Sequence, residues 1–208
     1  MTPLPTARRR RVSPRVAGLV AAVAAILLVA GLGLLITLRG TTQLDLDAEW
    51  MAELLERRIG ALVAVALLFD WLGGGIVGVF VVPIGIAVLL LVRRRPWGAL
   101  AFVLASALSA GLVQVIKHLF GRERPVDILV VADYGSFPSG HTANAATIAV
   151  VLGLILQRRW VWIAGLIWTI GMLLARTYVG AHWLTDTLGG SSRARRSRSS
   201  SGQRSRGG

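Results

Sequence analysis

Three short segments between positions 117 and 186 combine cationic side chains with histidines, a serine and a carboxylate. Arginine binds phosphate oxygens through a planar fork, and lysine binds them as a compact charge. Histidine can attack phosphorus or carry a proton. Because each segment lies at the end of an apolar stretch, the pattern predicts a phosphate held at a membrane surface and attacked by histidine. The segments are Lys117-x6-Arg124-Pro125, Pro138-Ser139-Gly140-His141 and Arg176-x5-His182-x3-Asp186.

Each segment alone also has an ordinary structural explanation. Basic residues that end an apolar span commonly extend to lipid headgroups, and Ser139 is suited to be a plain helix N-cap. His182 and Asp186 are four residues apart, so on a helix they form a simple side-chain pair. In the complete set, phosphate binding is the favoured interpretation of Lys117 and Arg124, because the positive-inside rule disfavours cations on the outer face.

The same residues indicate how the chemistry would be divided. Backbone N–H groups collect at a helix N-terminus, so the turn before His141 can form an anion cradle. His141 would then stand where a general acid protonates the leaving oxygen. A carboxylate, Asp186, bonded to one ring nitrogen of His182 would fix its tautomer and leave the other nitrogen free to attack.

In this order the segments resemble the signature of the type-2 phosphatidic acid phosphatase family, which also includes bacterial acid phosphatases and vanadium haloperoxidases. That family's third motif usually begins Ser-Arg, whereas this chain has Ala175-Arg176. The resemblance implies that His182 is the nucleophile, forming a phosphohistidine, and that His141 is the general acid. It implies no metal and no cofactor, and three cations around the site would also oppose a metal ion. It further implies phosphate contacts from Lys117, Arg124, Ser139, Gly140 and Arg176.

Composition favours a membrane protein. The chain is 54% hydrophobic with a mean hydropathy of +0.66, too apolar for an ordinary soluble domain. It has no cysteine, which excludes disulfides and thiol chemistry. The net charge of +13 is clustered between apolar stretches and in the last residues, which is typical of membrane topology rather than of nucleic-acid binding.

Apolar stretches predict five membrane spans, of which the fourth and fifth are short, and a mixed stretch at 44–70 is expected to lie along the outer interface. Basic clusters at 8–15, 93–95 and 158–159 occupy alternate connections, so these are expected to be cytoplasmic. The N-terminus is therefore predicted to be cytoplasmic and the three motifs to face the extracytoplasmic side of the cell membrane. The predicted spans are 16–38, 71–92, 96–116, 142–157 and 160–175.

The C-terminal segment departs from the family pattern, which usually has a sixth helix beginning near the nucleophilic histidine. Residues 182–190 suit the first turns of such a helix, but 191–208 are rich in Ser and Arg and predicted to be disordered. We hypothesise an out-of-frame reading of the gene, which sequencing of the locus tests. The alternative is a genuine basic tail that binds anionic lipid or nucleic acid.

Taken together, the sequence predicts an all-α, polytopic membrane helix bundle with five spans and a truncated sixth helix. It would have a basic cytoplasmic N-terminus (1–15), a membrane-embedded phosphatase domain (16–190) and a disordered tail (191–208). The expected activity is hydrolysis of a lipid phosphomonoester or diphosphate, such as undecaprenyl diphosphate, phosphatidate or phosphatidylglycerol phosphate. Expected partners are this substrate and membrane lipids, with no nucleic acid.

Two alternatives stay open at this point: a catalytically impaired relative that only binds lipid, and a vanadate-dependent oxidase. The second is disfavoured because that branch of the family is soluble. Four polar residues near the motifs are expected to have no role in the site. Arg122 and His118 should contact solvent or headgroups, and Asp127 and Asp133 should be solvated.

Overall fold

The computed structural model describes residue 29 and residues 31–39 and 43–188, and every regular element within these ranges is helical. The prediction of an all-α fold is therefore confirmed. Residues 31–39 form one helical stretch. The later elements are α1 (Asp45–Glu56), α2 (Gly60–Gly73), a π-helical segment (Val77–Val81), α3 (Val82–Val92), α4 (Pro96–Phe120), α5 (Gly140–Leu156), α6 (Arg159–Tyr178) and α7 (Leu184–Leu188).

Two helices, α4 and α6, are long and apolar enough to cross a membrane. The 25 residues of α4 extend about 37 Å at about 1.5 Å per residue, more than the hydrocarbon core of a bilayer. A third crossing results if α2 and the helix at 77–92, which meet at a bend of 49°, form one span. Helix α5 is apolar but shorter. Most of the predicted span 16–38, and the tail 191–208, lie outside the described residues, so the total of five spans stays a prediction.

The region 44–70 differs from the expected single surface helix. Helix α1 ends at Glu56, and its Glu53 forms an exposed ion pair of 2.7 Å with Arg57. Helix α2 then begins at Gly60 and packs along α6, where Phe69 stacks on Trp168 with ring centroids 5.0 Å apart. If α2 and the helix at 77–92 form one span, that span begins at Gly60 rather than at the predicted position 71. Ten almost entirely apolar residues precede Asp70, so this part of the region is more apolar than an interfacial stretch.

A break after α2 is held by a side chain from α5. Three consecutive glycines end the helix, and Gly75 takes a positive φ of 54°, which glycine adopts without strain. The amide of Asn144 donates to the carbonyl of Gly78 at 2.9 Å and contacts that of Gly73 at 3.4 Å. Carbonyls freed inside an apolar bundle need such a partner. The break brings the backbone of Gly74 against the ring of His141.

A cluster of buried apolar side chains fixes the start of α1 beside the loops that follow α4. Leu32 and Ile36, from the helical stretch 31–39, pack with Leu44, Ile116 and Phe137. Leu44 immediately precedes α1, and Phe137 precedes the Pro-Ser-Gly-His turn. The first turn of α1 is thereby held close to the motif-bearing loops, although it is distant from them in sequence.

Candidate active site

One cavity of about 940 Å³ brings side chains of all three sequence motifs together. Helix α4 contributes Lys117 from its last turn, and α5 contributes Gly140 and His141 from its first turn. Arg176 reaches the cavity from the last turn of α6, and His182 from the loop that follows. The ends of three helices therefore converge on a single polar chamber, and an apolar groove continues from it between the π-helical segment, α3 and α4.

At the mouth of this cavity, Lys117 and Arg124 share a carboxylate. Asp133 Oδ1 lies 2.9 Å from Lys117 Nζ and 2.6 Å from Arg124 Nη2. The side chain of Asp133 is 57% exposed. Burial would raise the pKa of Asp133, but the hydrogen bond and charge of Lys117 and the charge of Arg124 lower it. We call these three residues the open charge cluster. The expectation that Asp133 is merely solvated is wrong, because two cations are anchored beside it.

The first turn of α5 has the expected cap. The hydroxyl of Ser139 accepts from the backbone N–H of Thr142 at 3.4 Å and contacts the Thr142 hydroxyl at 3.1 Å. Ser139 is buried, and its own N–H donates to the carbonyl of Asp186 at 3.3 Å. The capping interpretation of Ser139 is thus confirmed, and its backbone links the second motif to the third.

Helix α2 adds a carboxylate that the sequence interpretation missed. Asp70 Oδ1 lies 3.2 Å from His141 Nε2, and the same carboxylate contacts the guanidinium of Arg176. A Cβ at position 74 would collide with the His141 ring, so glycine is required for this close approach. The sequence did contain a signal, because an acid within an apolar run is unusual in a membrane helix. It was overlooked because 44–70 was interpreted as an interfacial stretch.

His182 is held by a backbone carbonyl. Its Nδ1 lies 2.7 Å from the carbonyl oxygen of Ser136, while Nε2 is 3.4 Å from Arg124 Nη1. Since a carbonyl oxygen only accepts, this contact favours the tautomer with the proton on Nδ1 and a lone pair on Nε2. Burial lowers the pKa of His182 to about 4, against the opposing effect of Asp186. A neutral imidazole with one free nitrogen is the form required of a nucleophile.

Asp186 does not make the predicted hydrogen bond to His182. Its Oδ2 is 3.7 Å from His182 Nδ1, beyond hydrogen-bond distance. The same oxygen accepts from the backbone N–H of Trp183 at 2.8 Å, and Oδ1 contacts Arg122. The spacing rule fails here because His182 precedes α7, which begins only at Leu184, so the two residues do not share a helical face.

Arg122 is buried rather than solvated, with 4% of its surface exposed, so that expectation is also wrong. It forms an ion pair with Asp186 and another with Asp47, whose Oδ2 lies 2.6 Å from Nη2. We call Asp47, Arg122 and Asp186 the buried charge cluster. Nothing in the sequence pattern indicated Asp47, because it lies in α1, far from any motif. The remaining expectations hold: His118 and Asp127 are exposed.

The polar wall of the cavity favours an anion. Lys117 and Arg176 line it, Arg124 stands beside His182, and all three carry fixed charge in positions that a phosphate group could bridge. Among the residues that the structure describes, no group of three or more His, Cys, Asp or Glu side chains is arranged to hold a metal ion.

Comparison with known proteins places this arrangement in a family. A family model described as the PAP2 superfamily matches residues 98–194. Over this range the chain is similar to the PAP2 superfamily. The resemblance inferred from the three motifs is thereby confirmed, and the matched range includes every predicted site residue.

The chain is also similar to three proteins whose names denote phosphatases of lipid phosphates. The chain is 31% identical over 117 residues to an undecaprenyl-diphosphatase of Sulfolobus acidocaldarius, covering 52% of this chain and 55% of that protein. It is 31% identical over 107 residues to phosphatidylglycerophosphatase B of Bacillus subtilis, covering 47% and 53%. A lipid A 1-phosphatase of Porphyromonas gingivalis is 32% identical over 102 residues, covering 47% and 22%. The chain spans about half the length of the first two relatives.

A solved structure shares the helical architecture. It is described as the crystal structure of the first transmembrane PAP2 type phosphatidylglycerolphosphate phosphatase from Bacillus subtilis. The TM-score is 0.68 with 25% identity, covering 80% of this chain and 87% of that one. The fold therefore corresponds to that of a membrane-embedded PAP2 phosphatase.

Proposed function

We propose that this PAP2 protein is an integral membrane lipid phosphate phosphatase that works through a phosphohistidine on His182, without a metal. The observation that carries the proposal is the shared cavity, in which both histidines and two cations line one polar end of an apolar groove. Such a cavity fits a substrate with an anionic phosphate head and a hydrocarbon body.

The phosphate would be held by the cations and by the start of α5. Lys117, Arg124 and Arg176 would contact its nonbridging oxygens, with Ser139 and Gly140 contributing from the helix N-terminus. In the transition state of phosphoryl transfer, negative charge is spread over these oxygens. Fixed cations that stabilise this charge are therefore the main catalytic contribution of the protein. Asp133 would leave its two cations when the phosphate arrives, because its carboxylate is largely exposed and can be solvated.

The reaction would proceed in two steps. Nε2 of His182 attacks phosphorus, a P–N bond forms, and the P–O bond to the leaving group breaks. The leaving oxygen takes a proton from His141. Water then attacks the phosphohistidine, gives a proton to His141, and releases inorganic phosphate as the P–N bond breaks. The contact between Nδ1 and Ser136 supports this role for His182, because it keeps the lone pair on the attacking nitrogen.

The apolar groove supports a lipid substrate. Its wall includes Phe80 and Ile84 from one side, Val103 from α4, and Leu91 toward the far end. Apolar side chains of this kind pack favourably against hydrocarbon, and they line the same cavity as the polar residues. The names of the relatives suggest three candidate substrates: a polyprenyl diphosphate, phosphatidylglycerol phosphate and lipid A 1-phosphate. We propose a lipid phosphomonoester or diphosphate, presented at the extracytoplasmic face of the cell membrane, as the substrate class.

The test is phosphate release by the purified 208-residue chain in detergent with excess EDTA. The panel would contain undecaprenyl diphosphate, phosphatidate and phosphatidylglycerol phosphate, and His182→Ala would be measured beside the wild type. We expect release from at least one lipid that survives EDTA and falls at least about a thousandfold in the variant, since removing the nucleophile removes the covalent route.

Two other results would contradict the proposal in different ways. Release that EDTA abolishes would show that the reaction depends on a metal ion. Absence of release from every lipid, with lipid binding retained, would identify the protein as a relative that binds lipid without turnover.

A further inference from the structure

The buried charge cluster lies on the side of His182 away from the cavity, and α1 supplies one of its members. Asp47 is fully buried, and Arg122 and Asp186 are each 4% exposed. Asp47 is 75 residues from Arg122 and 138 from Thr185 in sequence. A buried carboxylate needs strong partners, because the desolvation of an unpaired charge is costly.

Both oxygens of Asp47 are used. Oδ1 accepts from the backbone N–H of Thr185 at 2.9 Å. Oδ2 accepts from the Thr185 hydroxyl at 2.8 Å and from Arg122 Nη2 at 2.6 Å, and Leu44 N–H approaches it at 3.3 Å. The Leu44 contact is an ordinary cap within α1. The other three contacts hold Thr185, which precedes Asp186, and Arg122, which pairs with Asp186, and helix capping does not account for them.

The contacts continue from Arg122 to the nucleophile. Arg122 Nη1 contacts Asp186 Oδ1 and donates to the Thr185 hydroxyl at 2.9 Å. Asp186 Oδ2 then fixes the backbone N–H of Trp183, the residue that follows His182. The position of the His182 ring is therefore set by a chain of buried contacts that begins in α1.

The charges of the cluster also matter for the reaction. Two carboxylates share the Arg122 guanidinium, and one of them, Asp186, has its Oδ2 3.7 Å from Nδ1 of the His182 ring. Attack by Nε2 leaves the imidazole with positive charge, which a nearby negative charge stabilises. Without Asp47, Arg122 would neutralise Asp186 and this stabilisation would be lost.

We propose that Asp47, acting through Arg122 and Thr185, is a positioning residue for His182. The inference rests on the proposed function, because it concerns the attack step. It extends the functional unit beyond the three motifs to a helix outside the matched family range. Asp47 touches neither the cavity wall nor the reacting atoms and has no direct part in the chemistry.

The test compares Asp47→Asn with Asp45→Asn in the full chain. Asp45 lies in the same first turn and carries the same charge, but it is exposed, so it controls for loss of an acid in α1. For Asp47→Asn we expect kcat to fall about 10- to 100-fold with KM and inhibition by orthovanadate unchanged within about twofold, because the phosphate-binding cations do not contact Asp47. Asp45→Asn should match the wild type.

A second pair keeps the inference testable if Asp47→Asn does not fold. Thr185→Val removes the hydroxyl that Asp47 and Arg122 share, while Thr185→Ser restores it. We expect kcat to fall in the valine variant and to recover in the serine variant. A purely structural role predicts instead that kcat and orthovanadate binding fall together, and that result would overturn the inference. Wild-type kcat in folded Asp47→Asn would overturn it as well.

One readout does not depend on turnover. The ¹⁵N resonances of the His182 ring, assigned by their loss in His182→Gln, report which nitrogen carries the proton. The wild type should show a single tautomer protonated on Nδ1, and Asp47→Asn a mixture. If the wild type releases no phosphate, the proposed function fails while this spectrum still tests the positioning role; identical spectra in the two proteins would refute it.

Discussion

The two charge clusters that flank His182 contain the same kinds of side chain but differ in the exposure of their carboxylates. In the buried charge cluster, Asp47 and Asp186 are inaccessible, and neither can leave Arg122 without a large desolvation cost. In the open charge cluster, Asp133 is 57% exposed and can move into solvent. The first arrangement is permanent and suited to positioning, whereas the second leaves two cations available to an incoming anion.

The comparison teaches that an ion pair near an active site does not reveal its role by its partners alone. Arg122 and Arg124 are two residues apart in one loop, and each contacts a carboxylate at short range. Their roles diverge because solvent reaches one carboxylate and not the other. An exposed pair contributes about 0–1 kcal/mol, whereas breaking a buried pair costs about 3–5 kcal/mol.

The largest expected effect follows from Arg122→Gln, which leaves two buried carboxylates without their cation. We expect the free energy of unfolding to fall by about 3–5 kcal/mol. Chemical unfolding in detergent, followed by tryptophan fluorescence, would measure it. Asp133→Asn is the matched comparison from the open charge cluster and should cost less, because its carboxylate is 57% exposed and Lys117 keeps the carbonyls of Tyr134 and Gly135 as partners. Equal losses in the two variants would remove the distinction between the clusters.

A smaller effect is expected on phosphate binding. Asp133→Asn removes the carboxylate that occupies Lys117 and Arg124 in the absence of substrate, so inorganic phosphate should bind about fivefold more tightly, equivalent to about 1 kcal/mol of lost competition. Titration calorimetry with inorganic phosphate would measure the affinity. Weaker binding in the variant would mean that Asp133 organises the two cations rather than competing for them.

The smallest change is the protonation of His182, which lies between the clusters. Because burial lowers its pKa to about 4, the ring should be neutral at pH 7 and remain neutral at pH 5. The unfolded chain binds this proton more tightly, so the site should lose stability as the pH falls from about 6.5 toward about 4. Titration of ¹³C-labelled histidine by NMR gives the midpoint directly. A midpoint near 6.5 would show that water reaches the ring.

The sequence predicted those features that depend on local pattern. Long apolar stretches predicted an all-helical fold, and three motifs at helix ends predicted five residues that line the cavity, because each motif lies within one short segment. The Ser139 cap was predictable for the same reason. The PAP2 resemblance added the expected roles.

The missed features depend on contacts between distant segments. Asp47 and Asp70 reach the site only because α1 and α2 pack against it, and no spacing in the sequence records that packing. The Ser136 contact to His182 is made by a backbone carbonyl, which every residue type carries, so it leaves no sequence signal. Arg122 was misjudged because a cation after an apolar span usually extends to headgroups, whereas here two buried carboxylates bind it.

The loop after α4 serves both clusters with alternate residues, since Arg122 turns inward and Arg124 turns toward the cavity mouth. Its length is therefore constrained from two directions. An insertion of one residue between Arg122 and Arg124 would keep every charge and every motif residue. It would, however, change the directions of the two side chains, so that they could no longer reach Asp47 and Asp133 respectively. Relatives should accordingly tolerate a change of side chain at position 123, which is exposed, far better than a change in the number of residues there.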